Sequence, residues 1–423
     1  MKKSIFSILL ATVLTTSVIL GGCGSKDAGS SNDSSASSGD TIKLGQQCDL
    51  SGDMANPAGM LGAQLAVKEI NEAGGVLGKQ LELIVVDTQT DTTRYQEMTK
   101  KLLLQDEVKC LFGYGTSAAR EVIRPIVEEN DGLYFYNSMY EDGVASKNVV
   151  CTGMVCNQQI YPLMQQMADM GLKKVYVLFP DYNYGHICAQ WVERYADELG
   201  LELVAEEFEP ISVSEFSGSI SKIRELDPDC IFVSFPSSPM RSFWEQWAAT
   251  GLDIPAFTAT NISGYYEHVQ MKAPALADTY TCSVWMEEFK DKNEACKEFV
   301  DKIYASGDNV DYVSHNYYMS YQAIYLWAAA AEKAGSAEPA DVIAAIEVGG
   351  IKFDGPVGEA YIIPETHHVA MPITLVKVNE EHGIDIIKEF GTVEPTWLRD
   401  DMHVDLRKMD LHQQFTLEDS PLE

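Results

Sequence analysis

Cys23 is the residue whose setting calls most plainly for covalent chemistry. Lys2 and Lys3 are followed by an apolar run from Ile5 to Leu20, broken only by small polar residues, and Gly21 and Gly22 stand directly before the cysteine. A basic start, a short apolar stretch and small residues ahead of a cleavage point mark a secretory signal. The Leu-Gly-Gly-Cys ending predicts scission before Cys23 and attachment of lipid to its thiol. The run is too short, and too often interrupted by Ser and Thr, to span a bilayer. Residues 1–22 are therefore expected to form a lipoprotein signal peptide, and no later stretch is a transmembrane candidate.

The other reactive residue types do not assemble into catalytic patterns. Cysteines at 48, 110, 151, 156, 188, 230, 282 and 296 form no Cys-x-x-Cys and no Cys/His cluster with metal spacing. Cys110, Cys151 and Cys230 lie in apolar, strand-like runs, where a thiol acts as a small hydrophobe. Cys151 and Cys156 are the nearest pair, should export oxidise any of them. Gly74 to Lys79 (GGVLGK) resembles a phosphate loop but has the wrong spacing, lacks Ser or Thr after the lysine and follows a helix, so it reads as a helix stop and turn. His367-His368 has no spaced partner for a metal and reads as a polar loop. There is no GxSxG, HExxH or kinase signature. A hydrolase would need a nucleophile with a base beside it, and none is evident, so neither enzyme activity nor a cofactor is expected.

The net charge of −32, from 31 basic and 63 acidic residues, argues against nucleic acid as a partner and against adsorption of the body on an anionic membrane. Residues 23–40, rich in Ser, Gly, Ala, Asn and Asp, hold no large apolar residue and are expected to be a flexible tether. The folded part then begins at Thr41. Its length exceeds one ordinary core, so two lobes are the expectation.

Strand-like runs alternate with helical stripes from there on. Ile42 to Gly45, Leu81 to Asp87, Lys109 to Gly113, Leu133 to Asn137 and Val149 to Gly153 read as strands, separated by helices such as Thr92 to Gln105 and Ser117 to Glu129. A second series follows, with strands at Lys174 to Pro180, Leu201 to Phe208 and Cys230 to Phe235. His315 to Lys333 and Pro339 to Ile346 are helical, and Tyr361 to Ile363 with Ile373 to Val378 look like closing strands. The last thirty or so residues show no clear period and suggest a surface-wrapping tail. The alternation predicts an α/β protein of two Rossmann-like lobes with parallel sheets, and a ligand cleft beyond the carboxyl ends of their strands.

Four segments carry a family resemblance: Asp49 to Lys79 (DLSGDMANPAGMLGAQLAVKEINEAGGVLGK), Gly115 to Gly143, Asp181 to Gly185 (DYNYG) and Gly355 to His368 (GPVGEAYIIPETHH). From Thr41 onward the chain resembles the type I periplasmic binding proteins, the solute receptors of ABC importers. The second and fourth segments are similar to the urea and short-chain amide branch, which is related to the branched-chain amino-acid receptors. The resemblance implies two lobes joined by three hinge crossovers, near Gly153 to Asn157, Cys282 to Trp285 and Gly350 to Gly355. The first lobe would comprise 41–155 and 285–350, the second 156–284 and 351–423. It further implies ligand contacts at Thr116 and Ser117, at Tyr136, Ser138 and Tyr140, at Tyr182, and at Thr260 and Asn261. Gly115 stands where the branch usually has an aromatic residue, and Asn137 and Met139 where a proline-containing turn is common.

The expected protein is thus a monomeric solute receptor, lipid-anchored through Cys23 at the outer face of the cell membrane and serving ABC permease and ATPase subunits. Urea or a short amide leads as ligand. Branched-chain or other amino acids are the alternative, since Arg120 and Glu141 lie near the second segment and helix-start N–H groups suit a carboxylate. A ligand-sensing receptor subunit is the third reading.

Overall fold

The computed structural model describes residues 41–52, 55–260, 262–306 and 310–419; Cys23 and Asn261 lie outside them. Five strands form a first, wholly parallel sheet: β1 Ile42–Cys48, β2 Leu81–Asp87, β3 Cys110–Gly113, β4 Tyr134–Tyr136 and, after the short β5 Val144–Ser146, β6 Val149–Cys151. Their order is β2-β1-β3-β4-β6. In the middle of the sheet Leu44 faces Leu83 on one side and Cys110 on the other. Because helices cover both faces, β3, β4 and β6 carry continuous apolar runs instead of alternating ones.

The second sheet contains β7 Lys174–Pro180, β8 Glu202–Glu209, β9 Cys230–Val233, β10 Ala256–Thr258, β11 Thr279–Ser283, β12 Lys352–Gly355, β13 Gly358–Ile362, β14 Val369–Val378 and β15 Ile384–Val393. Its path runs β12-β13-β14-β11-β10-β9-β7-β8, with β15 pairing β14. The strands from β7 to β11 are parallel, whereas β12 to β15 attach as antiparallel ribbons. This is the expected α/β architecture, with two sheets whose cores are parallel.

The chain leaves the first sheet after β6 and the second after β11. It then builds helices Glu294–Tyr304, His315–Ala334 and Pro339–Val348 before returning to the second sheet at β12. The His315–Ala334 helix is buried almost all round, because helix Ala58–Glu72 and the first sheet pack against it. Close approach of those two helices depends on Gly62, where a Cβ would stand 2.0 Å from the Tyr317 carbonyl oxygen. At the end of the first helix the GGVLGK segment is indeed a turn: Gly75 has φ +82, and Val76 and Lys79 form a bridge.

Two segments depart from expectation. His367 and His368 do lie between two strands, β13 and β14, but they are fully enclosed, with the His367 carbonyl accepting from the Cys151 amide at 2.9 Å. Burial pushes both imidazoles down to about 4, so both are neutral. The closing residues, expected to wrap the surface of the second lobe, instead bury Trp397, Leu398, Val404 and Leu406 and form a further short strand, β16, His412–Gln414. That strand pairs antiparallel with β5 of the first lobe. The eight cysteines at 48 and beyond are all buried and free. Among the described residues no helix is long and apolar enough to cross a membrane.

Gly62→Ala is expected to force the two helices apart and to destabilise the protein by about 1–3 kcal/mol, the usual cost of overpacking. Urea unfolding measures this; an unchanged midpoint would mean that the helix pair yields without loss.

Candidate ligand-binding site

The carboxyl ends of the parallel strands converge on one cavity. Cys48 ends β1 and Asp49 follows it; Tyr114, Gly115 and Thr116 link β3 to Ser117, the first residue of helix Ser117–Glu129; Tyr136 ends β4, with Ser138 and Met139 just beyond. From the second sheet come Tyr182 and Tyr184 after β7, Pro236 after β9, Thr260 after β10, and Gly264 and Tyr265 from the short helix Ile262–Tyr265. Asn56 and Gly59, at the start of helix Ala58–Glu72, complete the wall. The cavity encloses about 70 Å³. One water needs roughly 10–15 Å³ by the same measure, so the space suits a small molecule and excludes a folded peptide segment.

Its floor is the start of helix Ser117–Glu129. Thr116 is the N-cap, its hydroxyl accepting from the Ala119 amide at 3.2 Å. The first-turn amides of Ser117 and Ala118 have no acceptor within the helix, and with the helix dipole they favour an oxygen anion or carbonyl. Ser138 holds this floor in place by accepting from the Gly115 amide at 2.9 Å, and the Tyr136 hydroxyl donates to the Gly115 carbonyl at 2.9 Å. The walls are tyrosines, with Tyr182 and Tyr184 stacked at 6.1 Å between ring centres. Burial raises the hydroxyl pKa values of Tyr114, Tyr136, Tyr182 and Tyr265, so they act as neutral donors and acceptors.

Asp49 is the one acidic side chain among the described lining residues, and both its oxygens are engaged. Oδ1 accepts from the Thr88 hydroxyl and the Thr90 amide, each at 2.7 Å, and Oδ2 accepts from the Tyr95 hydroxyl at 3.0 Å. The lining therefore offers no free charged side chain.

Behind the floor lies a buried ionic network that ties Ser117 to Arg120 and Glu141, the two charged residues raised from the sequence for the amino-acid alternative. The Ser117 hydroxyl donates to Glu141 Oε2 at 2.5 Å, while Arg120 Nη2 donates to Glu141 Oε1 at 2.8 Å; both charged side chains are fully enclosed. The Arg120 guanidinium lies 5.2 Å from the Tyr136 ring centre and 4.8 Å from that of Tyr140. Burial opposes its charge, but Glu141, Tyr136 and Glu121 together outweigh that and hold its pKa well above the ordinary value. Gln414, from β16, bridges the pair, accepting from Arg120 Nη2 and donating to Glu141 Oε1, each at 2.7 Å. Burial pushes the neighbouring Asp142 carboxyl up to about 7.

Of the residues singled out in the sequence, Thr116, Ser117, Tyr136, Ser138, Tyr182 and Thr260 meet at the cavity. Tyr140 does not line it. Its ring is enclosed against Tyr136 and Arg120, and its hydroxyl bonds to His368 Nε2, a core role. Asn261 falls outside the described residues. Tyr184 and Tyr265 went unnoticed, although Tyr184 stands in the same DYNYG segment as Tyr182 and strand-end position was the available signal.

A sequence model of the family described as "Periplasmic binding protein" matches residues 41–383. The chain belongs to that family. Among curated relatives of this binding protein, the leucine-, isoleucine-, valine-, threonine- and alanine-binding protein of Pseudomonas aeruginosa is 25% identical over 325 residues, 75% of this chain and 85% of the relative. Solved structures with the same fold include a solute binding protein of an ABC transporter from Rhodopseudomonas palustris in complex with 3,4-dihydroxybenzoic acid. Its TM-score is 0.72 at 22% identity, covering 84% of this chain and 97% of that one. A branched-chain amino acid transporter substrate binding protein from Streptococcus pneumoniae, in complex with isoleucine, matches with TM-score 0.71 at 22% identity, covering 84% of this chain and all of that one (100%).

Arg120→Met strands Glu141 in the interior of this binding protein and is expected to cost about 3–5 kcal/mol of stability, with most of it recovered in Arg120→Met/Glu141→Leu. Chemical denaturation of both variants checks this. A single variant as stable as the parent would show that the pair is solvated or dispensable.

Proposed function

We propose that this chain is the solute-capturing component of an ABC importer and that it closes on a small carboxylate-bearing molecule of the amino-acid or aromatic-acid class. The observation that carries the reading is the cavity floor: unpaired first-turn amides of helix Ser117–Glu129 beneath tyrosine walls, with no free charged side chain in the lining. A carboxylate placed there gains charge-assisted hydrogen bonds and the helix dipole, and the rings cover an apolar or aromatic body. Lobe closure would remove the ligand from water and strengthen each of those bonds, shifting the population toward the closed form.

Family membership supports capture and release rather than catalysis. The names of the relatives support the ligand class: the Pseudomonas aeruginosa protein is named for aliphatic amino acids, and the Rhodopseudomonas palustris structure holds a dihydroxybenzoate. Urea and short amides, the first expectation from sequence, find no counterpart in these relatives, and the amino-acid alternative fits them better. Delivery to the permease would begin at the outer membrane face, where a lipid on Cys23 and the Ser/Gly tether of residues 24–40 keep the cleft near its transporter.

Thermal unfolding in the presence of leucine, isoleucine, benzoate, 3,4-dihydroxybenzoate, urea and acetamide tests the ligand class. An acid at 100 times its dissociation constant is expected to stabilise by about 2.7 kcal/mol. A shift with urea or acetamide and none with any acid would sink the reading. Tyr182→Ala should weaken binding of the same acid about tenfold, a loss of about 1.4 kcal/mol, without lowering the stability of the free protein by a comparable amount. For the anchor, Cys23→Ala is expected to move the protein from the membrane fraction to the medium, and retention on the membrane would refute lipid attachment at that thiol.

A further inference from the structure

A second chamber of about 250 Å³ adjoins the ligand cavity and shares Asn56, Gly264 and Tyr265 with it. Both lobes wall it: Ala55 and Pro57 come from the first, Ser237, Ser238 and Arg241 from the second. Arg241 gives the chamber its charge. The one acid in the described lining, Glu267, does not cancel it, because burial pushes that carboxyl up to about 8 and leaves it neutral near pH 7. Nor is Arg241 firmly held elsewhere. Its side chain is 44% exposed, and its Nε comes only within 3.9 Å of Glu245, itself 65% exposed. An exposed pair of that length leaves a guanidinium free to turn toward another anion.

The two lobes bring the same turn to the cleft. In the first sheet, where β3 lies next to β1, the chain leaves β3 into helix Ser117–Glu129. In the second, where β9 lies next to β7, it leaves β9 into helix Ser238–Ala248. Both helices open on Ser-x-x-Arg, as Ser117 with Arg120 and as Ser238 with Arg241. The two arginines differ in what they meet: Arg120 is fully enclosed and paired with Glu141, whereas Arg241 stands in the chamber wall. Ser237, at the N-cap, puts no side-chain oxygen on the first-turn amides beside it. A solute with one acid end at the Ser117 helix start, lying across the shared wall of Asn56, Gly264 and Tyr265, would present its far end to Arg241.

We propose that Arg241 receives a second acid group at the far end of the solute, so that the ligand class narrows to small dicarboxylates. This rests on the carboxylate reading given under Proposed function. The guanidinium offers a planar fork of donors that a carboxylate meets with two charge-assisted hydrogen bonds. One acid group then lies on each lobe, and the length of the solute sets how far the lobes must close to hold both. A monoacid still binds, held by the floor and the tyrosines alone.

Isothermal titration of the whole protein at pH 7 with matched pairs tests this: glutarate against pentanoate, and benzene-1,4-dicarboxylate against 4-methylbenzoate. The parent protein is expected to bind the diacid of at least one pair about tenfold or more tighter. Arg241→Gln should abolish that preference while leaving the monoacid within about twofold. Ser238→Glu, at an exposed first-turn position where an acid suits the helix dipole, should likewise weaken the diacid alone by setting a like charge in the chamber. Equal affinities within both pairs for the parent protein, a diacid preference surviving Arg241→Gln or Ser238→Glu, or an Arg241→Gln loss shared by both members would overturn the proposal while the carboxylate reading stands. Failure of every acid to bind the parent protein would instead bring down the carboxylate reading, and this inference with it.

Discussion

The buried pair of Arg120 and Glu141 is the interaction on which the rest of the site depends. Two opposite charges taken fully out of water are tolerated only when geometry and further hydrogen bonds compensate the lost hydration. Here the compensation comes from three directions. Ser117, at the cavity floor, donates to one carboxylate oxygen; Gln414, from the end of the chain, bridges the pair; Tyr136 and Tyr140 present ring faces to the guanidinium. The Trp191 indole of the second lobe donates to the Glu141 carbonyl at 3.1 Å. Floor, tail and second lobe are thus registered against one ion pair, and the direction in which the Ser117 helix aims its amides is fixed by a group that never touches the ligand.

A cavity this poor in charge suits a receptor that must let go. A fully enclosed ion pair with the ligand holds tightly but is slow to break, whereas amides and phenols offer many modest bonds that are lost together when the lobes part. The charge-bearing groups stand one layer back, where they set geometry. Even Asp49 serves this way, knitting the end of β1 to Thr88, Thr90 and Tyr95.

Much of the fold was legible because parallel sheets covered on both faces write themselves as short apolar runs between helical stripes. Leu81–Asp87 and Lys174–Pro180 fell where the runs placed them. What escaped has a physical reason. β15 is largely exposed along its length, so its sequence carries no apolar run, and β5 and β16 are three-residue strands that pair with each other from far apart in the chain. Tyr136, Ser138 and Tyr140 share a period of two and would face one side of a continuous strand. But β4 ends at Tyr136, the chain turns, and Tyr140 is carried back into the core toward His368. The family resemblance pointed to the six site residues that meet at the cavity, all of them near strand ends. Which hydroxyl meets ligand and which meets a buried acid depends on side chains distant in sequence, and Ser117 with Glu141 shows why no local pattern reveals it.

The tail gives the hinge a mechanical character that the three crossovers alone would not. Trp397 packs edge-on against Trp191 and Asp401 pairs with Arg194 on the second lobe; a few residues later β16 is hydrogen-bonded to β5 on the first, with Arg124 holding the His412 carbonyl at 2.7 Å. The chain therefore spans the two bodies a fourth time, so the stretch between Asp401 and His412 must bend whenever the lobes part.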